Sequence, residues 1–149
     1  MYKYFLLTFF FFLFISCAER IEAPKPATAI APVDVDTLLA KWVLARNRED
    51  SSAIHAQFAP DATVLNGSAI LKGQEAIARG WIKSNYRTVH NMMTSALQKW
   101  TSGDRASCSG SYSMDVLDRM GDIRKNTGHF AVNWKRMPEG WKIDMADLR

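Results

Sequence analysis

The chain has 149 residues, 48% of them hydrophobic, and carries a formal net charge of +4 at pH 7. This length suits a single domain, and the hydrophobic content excludes a disordered chain, a collagen-like repeat and a multi-pass membrane protein. No cluster of four or more Lys or Arg occurs, so the electrostatic footprint of a nucleic-acid-binding protein is missing. We therefore expect one globular domain and no nucleic-acid partner.

The N-terminus has the pattern of a secretory signal peptide over residues 1–16. Lys3 gives a positive start, and a nearly continuous apolar run follows over residues 4–15. Twelve helical residues rise only about 18 Å, which is short of the roughly 30 Å of a bilayer core. The ending Phe14-Ile15-Ser16-Cys17 resembles a bacterial lipobox, although Leu is usual where Phe14 stands. We expect cleavage before Cys17 and acylation of Cys17, which would leave the protein exported and anchored in the cell envelope, on the periplasmic side or at the cell surface. The alternatives are a plain signal peptide with an incidental Cys17 and a retained signal anchor.

Residues 17–32 read as a tether between this anchor and the domain. Pro24, Pro26 and Pro32 forbid a continuous helix and favour an extended spacer. If Cys17 is acylated, Cys108 is the remaining cysteine, so we predict no intramolecular disulfide and interpret Cys108 as a small core residue. The domain is predicted to span residues 33–149.

Helices are predicted to come first in the domain. Asp34 or Asp36 can cap a helix that runs to about Asn47, and Asp50 can cap a second helix that extends through Phe58 before Pro60 breaks it. A short strand over residues 62–65 ends at an Asn-Gly turn, and residues 74–85 predict a third helix.

The periodicity changes from 3.6 to 2 after residue 90, and this change indicates an antiparallel meander. Strands are predicted over residues 93–100, 106–114, 129–135 and from 141 onwards, with turns at 102–104, 120–122 and 138–140. On the last strand, Ile143, Met145 and Asp147 would share one face. We predict an α+β fold: a cone-shaped, curved antiparallel sheet with three N-terminal helices packed on its concave face.

Two segments carry a resemblance to a known superfamily, namely DSSAIHAQFAPDATVLNG early in the domain and GHFAVNWKRMPEGWKIDMADL late. Together with the order of elements, they resemble the nuclear transport factor 2-like superfamily, and within it the SnoaL-like, ketosteroid-isomerase-like group. The resemblance covers residues 34–148. It implies the fold but not the function, since such folds include isomerases, dehydratases and cyclases as well as non-catalytic binding or assembly modules.

The resemblance also implies where a steroid isomerase would carry its catalytic groups. Those enzymes use a Tyr on the first helix as an oxyanion donor and an Asp after the first strand to move the proton. An ungapped alignment from residue 40 to residue 66 places Trp42 and Asn66 at these positions. An indole is a donor only, and an amide is not a general base. We therefore do not expect steroid-isomerase chemistry.

Three other residues are weak candidates for catalysis: Tyr112, Asp147 and His90. On an inward strand face, Tyr112 and Asp147 would be polar groups in an apolar cone, which raises the pKa of a carboxyl group. The alternative for Asp147 is a solvated position at a strand end. His90 precedes the meander and could reach the mouth of the cone. No spacing typical of metal ligands or phosphate loops is present, so we predict no metal and no cofactor.

The aromatic and Met residues either fill the core or line a pocket at the open end of the cone. The hypothesis we favour is a non-catalytic module that binds a small apolar molecule or a protein partner. The alternatives are an isomerase or lyase that uses the pocket and a structural homodimer formed through the convex side of the sheet. The predicted pocket-lining residues are Trp42, Phe58, Asn66, Trp81, Met93, Tyr112, Phe130 and Met145.

Overall fold

A computed structural model describes residues 33–149 of the chain. The predicted signal peptide, the tether and Cys17 lie outside these residues. The helices are α1 (Val35–Asn47), α2 (Ser51–Ala56) and α3 (Gln74–Ile77), which continues through a π-helical turn (Ala78–Ile82) into α4 (Lys83–Asn85). The strands are β1 (Phe58–Asn66), β2 (Ala69–Lys72), β3 (Val89–Ser102), β4 (Arg105–Leu117), β5 (Ile123–Met137) and β6 (Gly140–Leu148). Within the described part of the chain, no helix is both long enough and apolar enough to cross a membrane.

The six strands form one sheet in the order β2-β1-β6-β5-β4-β3. Every neighbouring pair is antiparallel except β1 and β6, which run parallel. The predicted α+β fold, with the helices on the concave face of a curved sheet, is confirmed. The parallel pair was not predicted, because its two strands lie at opposite ends of the domain sequence.

Two glycines mark places where the strongly curved sheet leaves no room for a side chain. A Cβ atom on Gly110 of β4 would collide with the carbonyl oxygen of Ser95 on β3. A Cβ atom on Gly128 of β5 would collide with the carbonyl oxygen of Arg149 and would also meet the Tyr112 hydroxyl. Glycines at such close approaches, together with bulges in β3, are the usual devices for bending a sheet.

The predicted helix starts are confirmed by their caps. The Asp34 carboxylate accepts a hydrogen bond from the Asp36 backbone N–H (3.0 Å), and the Asp50 carboxylate accepts one from the Ala53 backbone N–H (2.9 Å). Each cap satisfies a backbone donor that the first helical turn leaves free.

The predicted end of the second helix is wrong, because α2 stops at Ala56 and Phe58 begins β1. The cause is strand pairing: the Ile143 backbone N–H donates to the Gln57 carbonyl oxygen (2.6 Å), and Phe58 is in register with Ile143. The Gln74 side chain also donates to the Phe58 carbonyl oxygen (3.1 Å). Pro60 consequently lies within β1 and does not terminate a helix.

The core lies between the helices and the concave face of the sheet. Its largest fully buried side chains include Trp42 of α1, Phe58 of β1 and Ile77 of α3. The alternation predicted for β4 and for the strand around Phe130 is confirmed, since Ala106, Cys108, Gly110, Tyr112, Phe130, Val132 and Trp134 are all buried.

The prediction that Met93 faces the core is wrong, because a bulge shifts the phase of β3. His90 pairs with Asp115 and Met93 pairs with Ser113, so β3 has one extra residue between them. Asn91 absorbs the bulge with φ at 50°. As a result Met92 is 2% exposed, whereas Met93 is 61% exposed on the opposite face.

A second bulge makes the predictions for Met145 and Asp147 wrong. Trp134 pairs with Ile143, but the next residue back on β5, Asn133, pairs with Met145, so Asp144 is the extra residue. Beyond it, Ala146 and Leu148 are buried, and Met145 and Asp147 point to the convex face of the sheet.

Candidate functional site

A cavity of about 160 Å³ opens at the mouth of the cone. It lies between the C-terminal end of α1, the π-helical turn and the concave face of the sheet. Its walls combine apolar side chains with amides, one phenol and one guanidinium. The lining residues are Arg46, Asn66, Trp81, Asn85, Val89, Tyr112, Met114, Val116, Asn126 and Leu148.

Arg46 reaches this cavity because it continues the buried stripe of α1. Leu39, Trp42 and Arg46 follow each other at three- and four-residue spacing, which places them on one side of a helix. All three are buried, and Arg46 is only 4% exposed. The same periodicity that builds the core therefore carries a cationic side chain into it.

Trp81 reaches the cavity from the π-helical turn. This turn lets two consecutive residues, Trp81 and Ile82, both face the core. The Trp81 ring meets the Phe58 ring edge-on, with 5.9 Å between the centroids. The Arg46 guanidinium carbon lies over the Trp81 ring, 4.4 Å from its centroid. The indole thus lies between the core and Arg46, the only cationic residue of the described part of the chain that lines the cavity.

The Arg46 guanidinium has no anionic partner among the described residues. Its Nε and Nη1 atoms are buried without a hydrogen-bond acceptor, and no ion pair in this part of the chain includes it. Burial lowers the pKa of Arg46 from its ordinary value to about 10. That pKa is still well above 7, so the cavity carries a positive charge at neutral pH.

The other polar groups of the cavity are neutral. Burial raises the pKa of Tyr112, so its hydroxyl is protonated at pH 7 and can donate a hydrogen bond. The Asn85 side chain donates to the Trp81 carbonyl oxygen (2.8 Å), which leaves its own carbonyl oxygen as an acceptor. Asn66 ends β1, and Asn126 lies on β5 beside Met114. Among the described residues, no carboxylate and no imidazole lines this cavity.

Of the predicted pocket residues, the structure brings Asn66, Trp81 and Tyr112 to the cavity. Trp42, Phe58 and Phe130 are buried behind it as core residues. The Trp42 and Phe130 rings lie 6.4 Å apart in a tilted arrangement. The Trp42 indole N–H is buried without an acceptor.

Two of the three weak catalytic candidates lie away from the cavity. His90 Nδ1 is 3.2 Å from a Glu49 carboxylate oxygen, in a half-exposed pair. Asp147 lies on the convex side, where Arg149 donates two hydrogen bonds to its carboxylate (3.1 and 2.6 Å). Tyr112 alone of the three lines the cavity.

Arg46 is the residue that sequence reasoning missed. It lies in the helix that the sequence predicts to run to about Asn47, without a role assigned to it. The available signal was an Arg four residues after Trp42, the single Trp of that helix. Among residues 33–149, no group of three or more His, Cys, Asp or Glu is placed to hold a metal ion.

Comparisons with known proteins agree with this architecture. A family model described as a SnoaL-like domain matches residues 28–146. A ketosteroid isomerase-like protein from Erwinia carotovora atroseptica superposes with a TM-score of 0.67 at 18% identity, covering 76% of this chain and 91% of that chain. A nuclear transport factor 2-like superfamily protein from Salmonella enterica gives a TM-score of 0.65 at 14% identity, covering 77% and 87%. A protein of unknown function from Mycobacterium tuberculosis gives 0.64 at 19% identity, covering 77% and 68%. A comparison with curated proteins finds no match.

Proposed function

Because the chain belongs to the SnoaL-like domain family, we propose that its domain is a non-catalytic module that binds a small, largely apolar molecule in the cone cavity. The observation that carries this proposal is the lining of the cavity. Val89, Met114, Val116 and Leu148 supply apolar walls, and half of the lining residues supply polar groups that can orient a ligand: three amides, one phenol and one guanidinium. This combination is typical of small-molecule sites.

The chemistry of the lining argues against proton transfer as its purpose. An isomerase or lyase needs a group that accepts a proton from the substrate. The two titratable groups at the cavity, Arg46 and Tyr112, are both protonated at pH 7. Asn66, which the family resemblance places at the position of the steroid-isomerase base, is an amide. The alternative of an enzyme that uses Tyr112 would require a base from outside the cavity.

Native mass spectrometry of residues 33–149, purified gently from the cells that make the protein, tests the binding proposal. We expect a small molecule that is released on denaturation. Val116→Phe narrows the cavity and should remove the bound mass. Ile123→Phe, at a position 69% exposed on β5, is the control and should retain it. A wild-type domain that is empty in every preparation would contradict the proposal.

A second candidate function is assembly into a homodimer through the convex face of the sheet. We define this face by the exposed apolar residues of β3 and the small residues of β4 beside them. Met93, Leu97 and Trp100 are 61%, 73% and 56% exposed. Beside them runs a stripe of four half-buried serines: Ser107, Ser109, Ser111 and Ser113. In a two-fold dimer, the large apolar side chains of one copy would lie over the serine stripe of the other copy. The convex face is therefore complementary to itself.

We also propose that the protein is an exported lipoprotein anchored through Cys17. This proposal rests on the sequence of residues 1–17. Cells fed a clickable palmitate analogue should label the wild-type protein. Cys17→Ser should abolish the label, whereas Cys108→Ser, at a buried core position, should keep it. Label retained in Cys17→Ser would overturn the proposal.

A further inference from the structure

We propose that the cavity ligand is a small monocarboxylate whose anionic group pairs with Arg46. The inference rests on the proposed binding function and specifies the chemical class of the ligand. It starts from an imbalance in the structure: Arg46, a residue that is 4% exposed, lines the cavity, and two of its guanidinium nitrogens have no acceptor among residues 33–149. Buried charges in proteins are normally paired and hydrogen-bonded.

Trp81 does not remove this imbalance. The Arg46 guanidinium carbon lies over the Trp81 ring, 4.4 Å from its centroid, so the π electrons of the indole favour the charge. A ring face has no oxygen or nitrogen lone pair, so this contact supplies no acceptor to the guanidinium N–H groups. Nε and Nη1 therefore remain donors without an acceptor among the described residues.

The charge of the cavity selects a monoanion. Arg46 is the sole charged side chain among the lining residues, so one negative charge is balanced and a dianion is not. A carboxylate has two acceptor oxygens and forms strong charge-assisted hydrogen bonds with a guanidinium. The Tyr112 hydroxyl and the amide groups of Asn85 and Asn126 are further donors at the same cavity.

The apolar lining residues of the cavity determine the size and polarity of the uncharged part of the ligand. Val89, Met114, Val116 and Leu148 offer hydrocarbon, and the volume of about 160 Å³ limits the ligand to a few carbons or a single ring. We therefore infer an amphipathic acid with its carboxylate toward Arg46 and its apolar part toward β4 and β6.

Benzoate and benzamide are suitable probes, because they have nearly the same shape and only benzoate is charged. Binding to the purified protein is measured by calorimetry. We expect benzoate to bind at least about tenfold more tightly than benzamide. Arg46→Met, which keeps the length of the side chain, should abolish this preference. Arg48→Met removes an exposed positive charge two residues further on and should keep it.

The Nε–H resonance of Arg46 in wild-type protein gives a second readout that does not depend on the folding of a variant. It should shift when benzoate is added and stay unchanged with benzamide. Equal affinities for the two probes would overturn the carboxylate inference and leave the binding function intact. A preference for benzoate that survives in Arg46→Met would also overturn it. Failure of both probes to bind would count against the inference and the binding function together.

Discussion

At the scale of single residues, Arg46 lowers the stability of the fold and supplies the charge that we propose binds a ligand. Of the basic side chains on α1, Lys41 points to solvent, whereas Arg46 is buried beside Trp81. Removing a charge from water without an ionic partner is unfavourable, and a cation–π contact offsets only part of that cost. Binding of a ligand therefore explains a buried Arg at this position better than packing does.

Replacing Arg46 by Met should therefore stabilise the ligand-free protein. We expect the free energy of unfolding to rise by about 1–3 kcal/mol, because an apolar side chain of similar length carries no desolvation cost. Denaturant unfolding at pH 7 measures it. Lys41→Met, on the exposed side of the same helix, should change stability by no more than about 0.5 kcal/mol. A marked loss of stability in Arg46→Met would show that the guanidinium is satisfied in the folded protein.

The direction of the pKa shift of Arg46 determines how its effect on stability depends on pH. The folded protein holds the pKa of Arg46 at about 10, below its ordinary value, so it binds fewer protons than the unfolded chain only above about pH 10. The destabilisation is therefore fully present at pH 7 and decreases as the pH rises through 10. Between pH 6 and pH 8 the difference between variant and wild type should be constant.

At the scale of elements, the bulge in β3 is held by a helix. The Asn47 side chain, at the end of α1, accepts a hydrogen bond from the Met92 backbone N–H (2.7 Å) and donates one to the Met92 carbonyl oxygen (2.9 Å). These two hydrogen bonds, which we call the Asn47 clamp, replace the strand pairing that the bulge disrupts. It also fixes which of the two consecutive methionines enters the core.

Removal of this clamp should loosen β3 locally. Asn47→Ala leaves the backbone N–H and carbonyl groups of Met92 without their partner. We expect the free energy of unfolding to fall by about 1–3 kcal/mol. Hydrogen exchange of the Met92 amide should accelerate in this variant. Asn91→Gly is the control: glycine adopts the positive φ of the bulge readily, so the Met92 amide should stay protected. Unchanged exchange in Asn47→Ala would contradict the role of the clamp.

At the scale of the whole molecule, the sheet separates two proposed functions. Its concave face holds the cavity, and its convex face carries the exposed Met93, Leu97 and Trp100. Since consecutive strand residues point to opposite sides, the two surfaces can be changed independently. Loss of one function should leave the other intact.

The dimer prediction follows from the convex face. Trp100→Glu places a charge among the exposed apolar side chains of β3 and should shift the protein from dimer to monomer. Met120→Glu, at an 88% exposed position in the turn between β4 and β5, should leave the dimer unchanged. Light scattering coupled to size-exclusion chromatography distinguishes the two states. A monomeric wild-type protein at micromolar concentration would rule out this interface.

Short-range patterns in the sequence were enough to predict the type and order of most elements. The caps at Asp34 and Asp50, the buried stripe of α1 and the alternation along β4 depend on residues two to four positions apart, and the structure confirms them. Packing periodicity and capping are local physical requirements. Features that depend on them can therefore be predicted from a single sequence.

Features that depend on distant partners were decided only by the tertiary structure. The bulge that exposes Met93 depends on the hydrogen bond of Met92 to Asn47, 45 residues before Met92. The bulge that turns Met145 and Asp147 outward depends on how β6 pairs with β5. The parallel pairing of β1 with β6 likewise joins opposite ends of the domain. Helical spacing predicts that Arg46 lies on a helix, but its lack of an anionic partner within residues 33–149 depends on every element that surrounds it. One inserted residue reverses the faces of a strand, and a missing partner is a property of the assembled core, so neither can be read from local spacing.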